Sequence, residues 1–336
     1  MKIAVIGAGA WGTALSIALT RHGKHSVQLW AFEKEVVESV QRLRINQLFL
    51  PGHEIPKSVT VTGDLETALS GAELLVGVMP SHHCRKIFEQ MVSKKLLRDA
   101  VPFVSATKGI EQESLLRMSE VITEVVARSG TQPRVAAISG PSFAIEVAKG
   151  DPTAVTVASK DPELASLVQR EFSDASLRIY TNDDVVGVEL GGALKNVIAI
   201  AAGVCDGMGL GHNTAAALMT RGLAEISRLA VACGAKRETL LGLAGMGDLV
   251  LTCTGGLSRN RSVGVGLGKG RRLTEIIAEM HGMVAEGVLT TNAAMGLAQK
   301  MKIEMPITEQ MYAILHEGKP AREAIRELMT RPYAME

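Results

Sequence analysis

Lys195 and Asn196 interrupt an otherwise small and apolar run, ELGGALKNVIAIAAG, and the lysine is a group that could exchange a proton with a substrate oxygen. A lysine on such a helix ordinarily carries its ammonium to the surface along its methylene stem. Held among apolar neighbours instead, it has a lowered pKa and exchanges a proton with a carbonyl or alcohol oxygen near neutral pH. Gly191 and Gly192 stand one turn earlier, where glycine is costly in a helix, and so imply that something approaches this backbone closely. Asp248, in GMGDLVLTCTGGLSRNR (245–261), lies between glycines and an apolar run, the place of a helix N-cap, which can coexist with a role in the chemistry. Ser258, Arg259 and Asn260 follow two glycines at an apparent helix start, where hydroxyl, guanidinium and amide donors suit a phosphate dianion.

These side chains need a frame, and the first half of the chain supplies the pattern of one. Strands are expected at 2–6, 26–30, 58–62, 73–79, 101–106, 134–139, 153–159 and 177–181, with helical segments between most of them. That is an α/β pattern, a doubly wound and mostly parallel Rossmann-like sheet. After Asn182 the β-rich runs stop, and segments such as 212–234 and 306–318 carry apolar residues at helical spacing. The expectation is therefore a dinucleotide-binding domain over residues 1–181 and an all-α catalytic domain over 182–336. Lys108 falls directly after the strand VPFVSA, and Gly140, Pro141 and Ser142 directly after RVAAIS. Both are strand C-terminal ends, where open α/β sheets bind ligands.

The opening MKIAVIGAGAWGTALSIAL has a lysine before an apolar run, as an export signal does. Gly7, Gly9 and Gly12 interrupt that run at the G-x-G-x-x-G spacing after a β-branched strand, and no A-x-A-like cleavage site follows in polar sequence. Gly7 permits the tight turn, Gly9 lets the backbone approach a pyrophosphate and Gly12 lets helix and strand pack closely. A cytoplasmic location follows as an expectation. The 336 residues exceed one ordinary core. With 36 basic and 35 acidic residues and only 3% aromatic, the chain has neither the basic face nor the stacking platforms of a nucleic-acid binder. Cys84, Cys205, Cys233 and Cys253 form no C-x-x-C pair and read as buried free thiols, and no metal site is expected. His82 and His83 lack a carboxylate at ligand spacing and read as a loop feature. The apolar stretch 188–211 is long enough for a membrane span but contains Glu189, Lys195 and Asp206, as a buried helix of a soluble protein would.

GAGAWGTAL, ATKGI, SGPSFA, LGGALKNVIAI, GMGDLVLTCT and SRNR, in this order across most of the chain, resemble the bacterial NAD(P)-dependent glycerol-3-phosphate dehydrogenases. The resemblance implies a cytoplasmic homodimer that interconverts dihydroxyacetone phosphate and sn-glycerol 3-phosphate for phospholipid synthesis, using NAD or NADP. By position it implies Lys195 as proton donor and acceptor, assisted by Asp248 and Asn196. It implies a substrate shell of Lys108, Gly140, Ser142, Asp248, Ser258, Arg259 and Asn260. Ala10, Trp11, Phe32, Lys108, Ala144, Arg259, Val284 and Glu286 fall at cofactor-contacting positions. Two of these depart from the family pattern: a hydroxyl residue is common where Ala10 stands, and His or Arg where Phe32 stands.

Glu33 lies 26 positions after Gly7, where an acidic side chain accepts hydrogen bonds from a ribose 2′-OH and repels a 2′-phosphate. It argues for NAD, whereas the adjacent Lys34 could swing toward a phosphate and the resemblance implies that both cofactors are accepted, so both are expected to work, NADH at least as well as NADPH. Two other functions stay open on the residues alone. One is a dehydrogenase for a hydroxy acid or sugar acid, which would need cations placed for a carboxylate. The other is a nucleotide sensor, which would have no use for a buried proton donor.

Overall fold

A computed structural model describes residues 1–21, 23–98, 101–280 and 284–332. Among the described residues ten strands form: β1 Lys2–Ile6, β2 Ser26–Trp30, β3 Ile45–Asn46, β4 Leu50–Glu54, β5 Val59–Thr62, β6 Leu74–Gly77, β7 Phe103–Ser105, β8 Val135–Ser139, β9 Thr153–Ala158 and β10 Leu177–Asn182. Seven helices lie among them: α1 Ala10–Thr20, α2 Lys34–Leu43, α3 Leu65–Leu69, α4 Cys84–Ser93, α5 Met118–Ala127, α6 Ala144–Lys149 and α7 Pro162–Phe172. Beyond Asn182 the described elements are helical: α8 Val185–Gly207, α9 His212–Ala232, α10 Arg237–Leu240, α11 Asp248–Thr254, α12 Arg259–Gly268, α13 Leu273–Ala278, α14 Glu286–Met301, α15 Pro306–His316 and α16 Ala321–Met329.

Eight strands make one sheet in the order β10-β9-β8-β7-β6-β1-β2-β5. All its pairs are parallel except β8 with β9, which run antiparallel, so the sheet is mostly parallel as the alternation of strands and helices implies. Helices cover both faces. On β1, Ile3 and Val5 enter one core while Ala4 and Ile6 enter the other, the period of two that a strand buried on both sides requires. The expected strands form, some of them shorter at their ends. β3 and β4, which were not among the expected strands, pair as a separate antiparallel hairpin, a two-stranded ribbon in which Pro51 and Gly52 are tolerated.

Parallel pairing puts the C-terminal ends of β2, β1, β6, β7 and β8 along one edge. The segments that follow them therefore line one cleft: Phe32–Glu33, Gly7–Gly12, Ser81–His83, Lys108 and Gly140–Ser142. The helical half closes on that edge through α8. This helix is long and apolar enough to cross a membrane, yet nearly all of its apolar length is buried within the protein. Its polar residues are all partnered. Glu189 accepts hydrogen bonds from the Ser119 backbone N–H (2.8 Å), Ser119 Oγ (2.6 Å) and Arg117 Nη1 (2.6 Å) on the sheet side, and Asp206 accepts from Arg261 Nη2 (2.9 Å). The four cysteines are free thiols, and burial pushes Cys84 and Cys253 up to about 12.

Candidate active site

The glycine-rich turn behaves as its spacing implies. Gly7 has φ +121°, and a Cβ there would lie 2.4 Å from the Val78 carbonyl oxygen; a Cβ on Gly12 would lie 1.9 Å from the Gly7 carbonyl oxygen. Neither position admits a side chain. Gly9 is different: a Cβ built on it meets nothing within 4 Å, so the N-terminus of α1 opens onto free space. A turn of this shape at a helix N-terminus has the room and the donors that a pyrophosphate needs, so the residues present fit a dinucleotide. Ala10 opens α1 and contributes no side-chain donor; Trp11 packs partly buried against the core beneath the sheet. Phe32 is 79% exposed beside the turn, in edge contact with Trp30, and Glu33 precedes α2 at its N-cap position. Ala144 begins α6 directly after the β8 loop.

At the other end of the cleft, three segments distant in sequence converge. Lys195 Nζ donates to Asp248 Oδ1 and to Thr252 Oγ1 (2.7 Å), while Lys108 Nζ donates to Asp248 Oδ2 (2.6 Å) and to the Gly140 carbonyl (3.3 Å). Two ammonium groups thus share one carboxylate. Lys195 is 5% exposed and Asp248 1%, whereas the Lys108 side chain keeps 21% of its surface. Burial pushes Lys195 down to about 7; Asp248 opposes that fall and Lys108 reinforces it. Burial alone would raise the Asp248 carboxyl, but the two lysines override it and hold it below the usual carboxylate range. The result is a buried amine poised between its charged and neutral forms at neutral pH, beside a carboxylate that stays ionised.

The structure explains why α8 carries glycines there. A Cβ on Gly191 would lie 2.7 Å from the Ala244 carbonyl oxygen, and one on Gly192 would lie 2.3 Å from Ser139 Oγ. What approaches this backbone closely is the rest of the protein rather than a ligand. Gly203 and Gly264 repeat the device, each meeting backbone of the facing helix at 2.0 Å, and this draws α12 against α8.

Several expected site residues find other partners. Asp248 is the first residue of α11, but its carboxylate caps no backbone N–H and goes to the lysines. Asn196 turns away from the Lys195 ammonium, because consecutive helix residues point about 100° apart. Its Nδ2 reaches the Gly192 carbonyl (3.5 Å), and its Oδ1 accepts from Asn260 Nδ2 (3.0 Å). Asn260 Oδ1 accepts in turn from the Gly287 N–H (2.9 Å), so this amide pins α12 to α8 and α14. Ser258 is the N-cap of α12 and accepts from the Arg261 N–H (3.2 Å). Ser142 Oγ donates to the Gly140 carbonyl (3.0 Å). Arg259 stands apart: half-buried at the start of α12, it has no hydrogen bond or ion pair with the described residues, and burial holds its pKa below the usual arginine value. Val284 is half-buried ahead of α14, and Glu286 opens that helix with both carboxylate oxygens bonded to Ser81.

Two contributors were missed. Thr252 was detectable, since DLVLT places it four residues after Asp248 and so on the same helix face. Ser81 carried no local signal. His82 and His83 form a short turn with ring centroids 4.0 Å apart. Among the described residues no group of three or more His, Cys, Asp or Glu side chains is placed to hold a metal ion.

Comparison with known proteins covers the whole chain. Residues 2–165 match the family described as the NAD-dependent glycerol-3-phosphate dehydrogenase N-terminus, and residues 184–326 match the corresponding C-terminus. The chain is 66% identical over 335 residues to a protein of Koribacter versatilis named glycerol-3-phosphate dehydrogenase [NAD(P)+], covering 100% of this chain and 98% of the relative. A protein of the same name from Acidobacterium capsulatum is 55% identical, with 98% of each covered. The crystal structure of glycerol-3-phosphate dehydrogenase from Coxiella burnetii superposes with a TM-score of 0.93 at 41% identity, covering 98% of this chain and 99% of that one.

Proposed function

The chain belongs to the NAD-dependent glycerol-3-phosphate dehydrogenases, and from that premise we propose how its own residues divide the work. It is an NAD(P)-dependent oxidoreductase that interconverts dihydroxyacetone phosphate and sn-glycerol 3-phosphate. The nicotinamide cofactor, when bound, supplies or accepts the hydride at C2. Gly7, Gly9 and Gly12 hold its pyrophosphate, with Ala10, Trp11, Phe32, Glu33, Lys108, Ala144, Arg259, Val284 and Glu286 along its length. The observation that carries the reading is the single carboxylate of Asp248 shared by Lys195 and Lys108.

In the direction of reduction, Lys195 donates its proton to the C2 oxygen as negative charge develops there, and in oxidation the neutral amine takes it back. Asp248 and Thr252 aim the Lys195 nitrogen, and Lys108 keeps its pKa low while offering a second positive charge to the substrate. The unpaired guanidinium of Arg259 binds the phosphate at the N-terminus of α12, where Ser258 caps the helix and backbone N–H groups add donors. Asn196 and Asn260 act by fixing α8, α12 and α14 to one another. Gly140 and Ser142 form the wall opposite. The division of the chain at residues 181 and 182, a cytoplasmic location, a homodimeric state and a role in supplying glycerol phosphate for phospholipids complete the proposal.

Replacement of Lys195 by Met tests its centre. General acid catalysis contributes about 10²–10⁴-fold, so kcat is expected to fall within that range while NADH affinity stays near that of the wild type. A variant that kept its kcat would remove Lys195 from the proton transfer.

A further inference from the structure

Glu286 is tied to the nucleotide-binding half by a residue that neither the motifs nor the charge pattern single out. The Ser81 backbone N–H donates to Glu286 Oε1 (2.9 Å) and Ser81 Oγ donates to Oε2 (2.6 Å), across 205 positions of sequence. Ser81 is buried in the short turn 81–83 that follows β6, and Glu286 is the first residue of α14. Gly109 completes the contact: a Cβ there would lie 2.4 Å from Ser81 Cβ and 3.3 Å from Glu286 Oε2. Gly109 adjoins Lys108, so the tie sits beside the segment that carries Lys108 to Asp248. Burial pushes the Glu286 carboxyl up and the Ser81 bonds oppose that rise.

We propose that Ser81 is a positioning residue for the cofactor: it holds the Glu286 carboxylate in place so that the remaining lone pairs accept hydrogen bonds from the nicotinamide carboxamide. The geometry suits this task. A carboxylate has about four lone-pair sites, and Ser81 occupies two of them, one on each oxygen. The side chain alone would sweep several rotamers; held by a backbone N–H and a hydroxyl, it keeps one. The tie also reaches the catalytic helix. The peptide that follows Glu286 donates its Gly287 N–H to Asn260, which donates to Asn196, the neighbour of Lys195. Settling Glu286 therefore settles the start of α14 against α12 and α8.

The inference rests on the assignment of Glu286 as a cofactor contact, and calorimetric titration of the full chain separates the two claims. The probes are NADH and ADP-ribose, the latter carrying the whole dinucleotide except the nicotinamide. For Ser81→Ala, loss of one hydrogen bond to a charged group is expected to raise the Kd for NADH about tenfold. The Kd for ADP-ribose should be unchanged, and that unchanged value also certifies a folded nucleotide-binding half. Ser81→Thr, which keeps a hydroxyl donor, should restore NADH binding to within about twofold of wild type. An unchanged NADH affinity in Ser81→Ala, or equal weakening of both probes, overturns the role of Ser81. A Glu286→Ala variant decides the underlying assignment. If it binds NADH as tightly as wild type, Glu286 itself is no cofactor contact, whereas weakening in Glu286→Ala with a silent Ser81→Ala overturns only the positioning role.

Discussion

The two ends of the cleft are built by different means. At the glycine turn, residues 7 to 12, the exposed surface is backbone: the positive φ of Gly7, the open space at Gly9 and the N–H groups of the first turn of α1. Every part lies within six residues and follows β1 directly. At the lysine cluster the surface is side chains, and Lys108, Lys195 and Asp248 arrive from β7, α8 and α11. A backbone site depends on local conformation, so its residues are chosen for what they lack. A side-chain site depends on desolvation and charge, so its residues acquire their chemistry only when the two halves close on each other.

The largest test of that difference lies in the turn itself. Gly12→Val places branched carbons where a Cβ would already sit 1.9 Å from the Gly7 carbonyl, which forces β1 and α1 apart. Overpacking costs about 1–3 kcal/mol or more, so a fall in thermal stability together with lost NADH binding is expected in a melting and titration experiment. Gly9→Ala sharpens the point. Nothing among the described residues opposes its methyl group, so the melting temperature should hold while NADH affinity falls. A stability loss as large as that of Gly12→Val would contradict the division between packing and ligand approach.

Arg259→Ala tests the opposite end. Removing one charge-assisted contact costs roughly 1.5–3 kcal/mol, or about one to two orders of magnitude in kcat/KM. The loss should fall on dihydroxyacetone phosphate and spare the unphosphorylated dihydroxyacetone. Equal losses on the two substrates would place the phosphate elsewhere.

Smaller effects come from the charge balance around Lys195. Reduction needs its ammonium and oxidation its free amine. With the pKa pushed down to about 7, kcat for reduction should fall as pH rises through that value, and kcat for oxidation should rise over the same range. Lys108→Met removes a positive neighbour that lowers this pKa, so both limbs should move to higher pH. Limbs that stay in place would show that Lys108 does not tune Lys195. The smallest change is expected at the adenosine end, where Glu33→Arg should shift the ratio of kcat/KM values toward NADPH from a wild type that uses NADH at least as well. An unchanged ratio would take the choice of cofactor away from this loop.

The alternation of strands with helices, the glycine spacing and the halt of β-rich runs after Asn182 are local patterns, and a sequence displays local patterns directly. They were enough for the sheet, the helical second half and the placing of Gly7, Gly9 and Gly12. Lys195 could be singled out because a charge in an apolar helix is anomalous wherever the helix packs. Its partners were less legible. That Asp248 would serve two lysines rather than cap α11, that Asn196 would face Asn260 rather than the ammonium, and that Ser81 would hold Glu286 depend on how helices from one half rotate against loops from the other. Those orientations come from close packing between α8, α12 and the sheet edge, at contacts separated by tens to hundreds of residues. The poised pKa of Lys195 is of the same kind, since burial and a neighbouring charge are properties of the assembled interior.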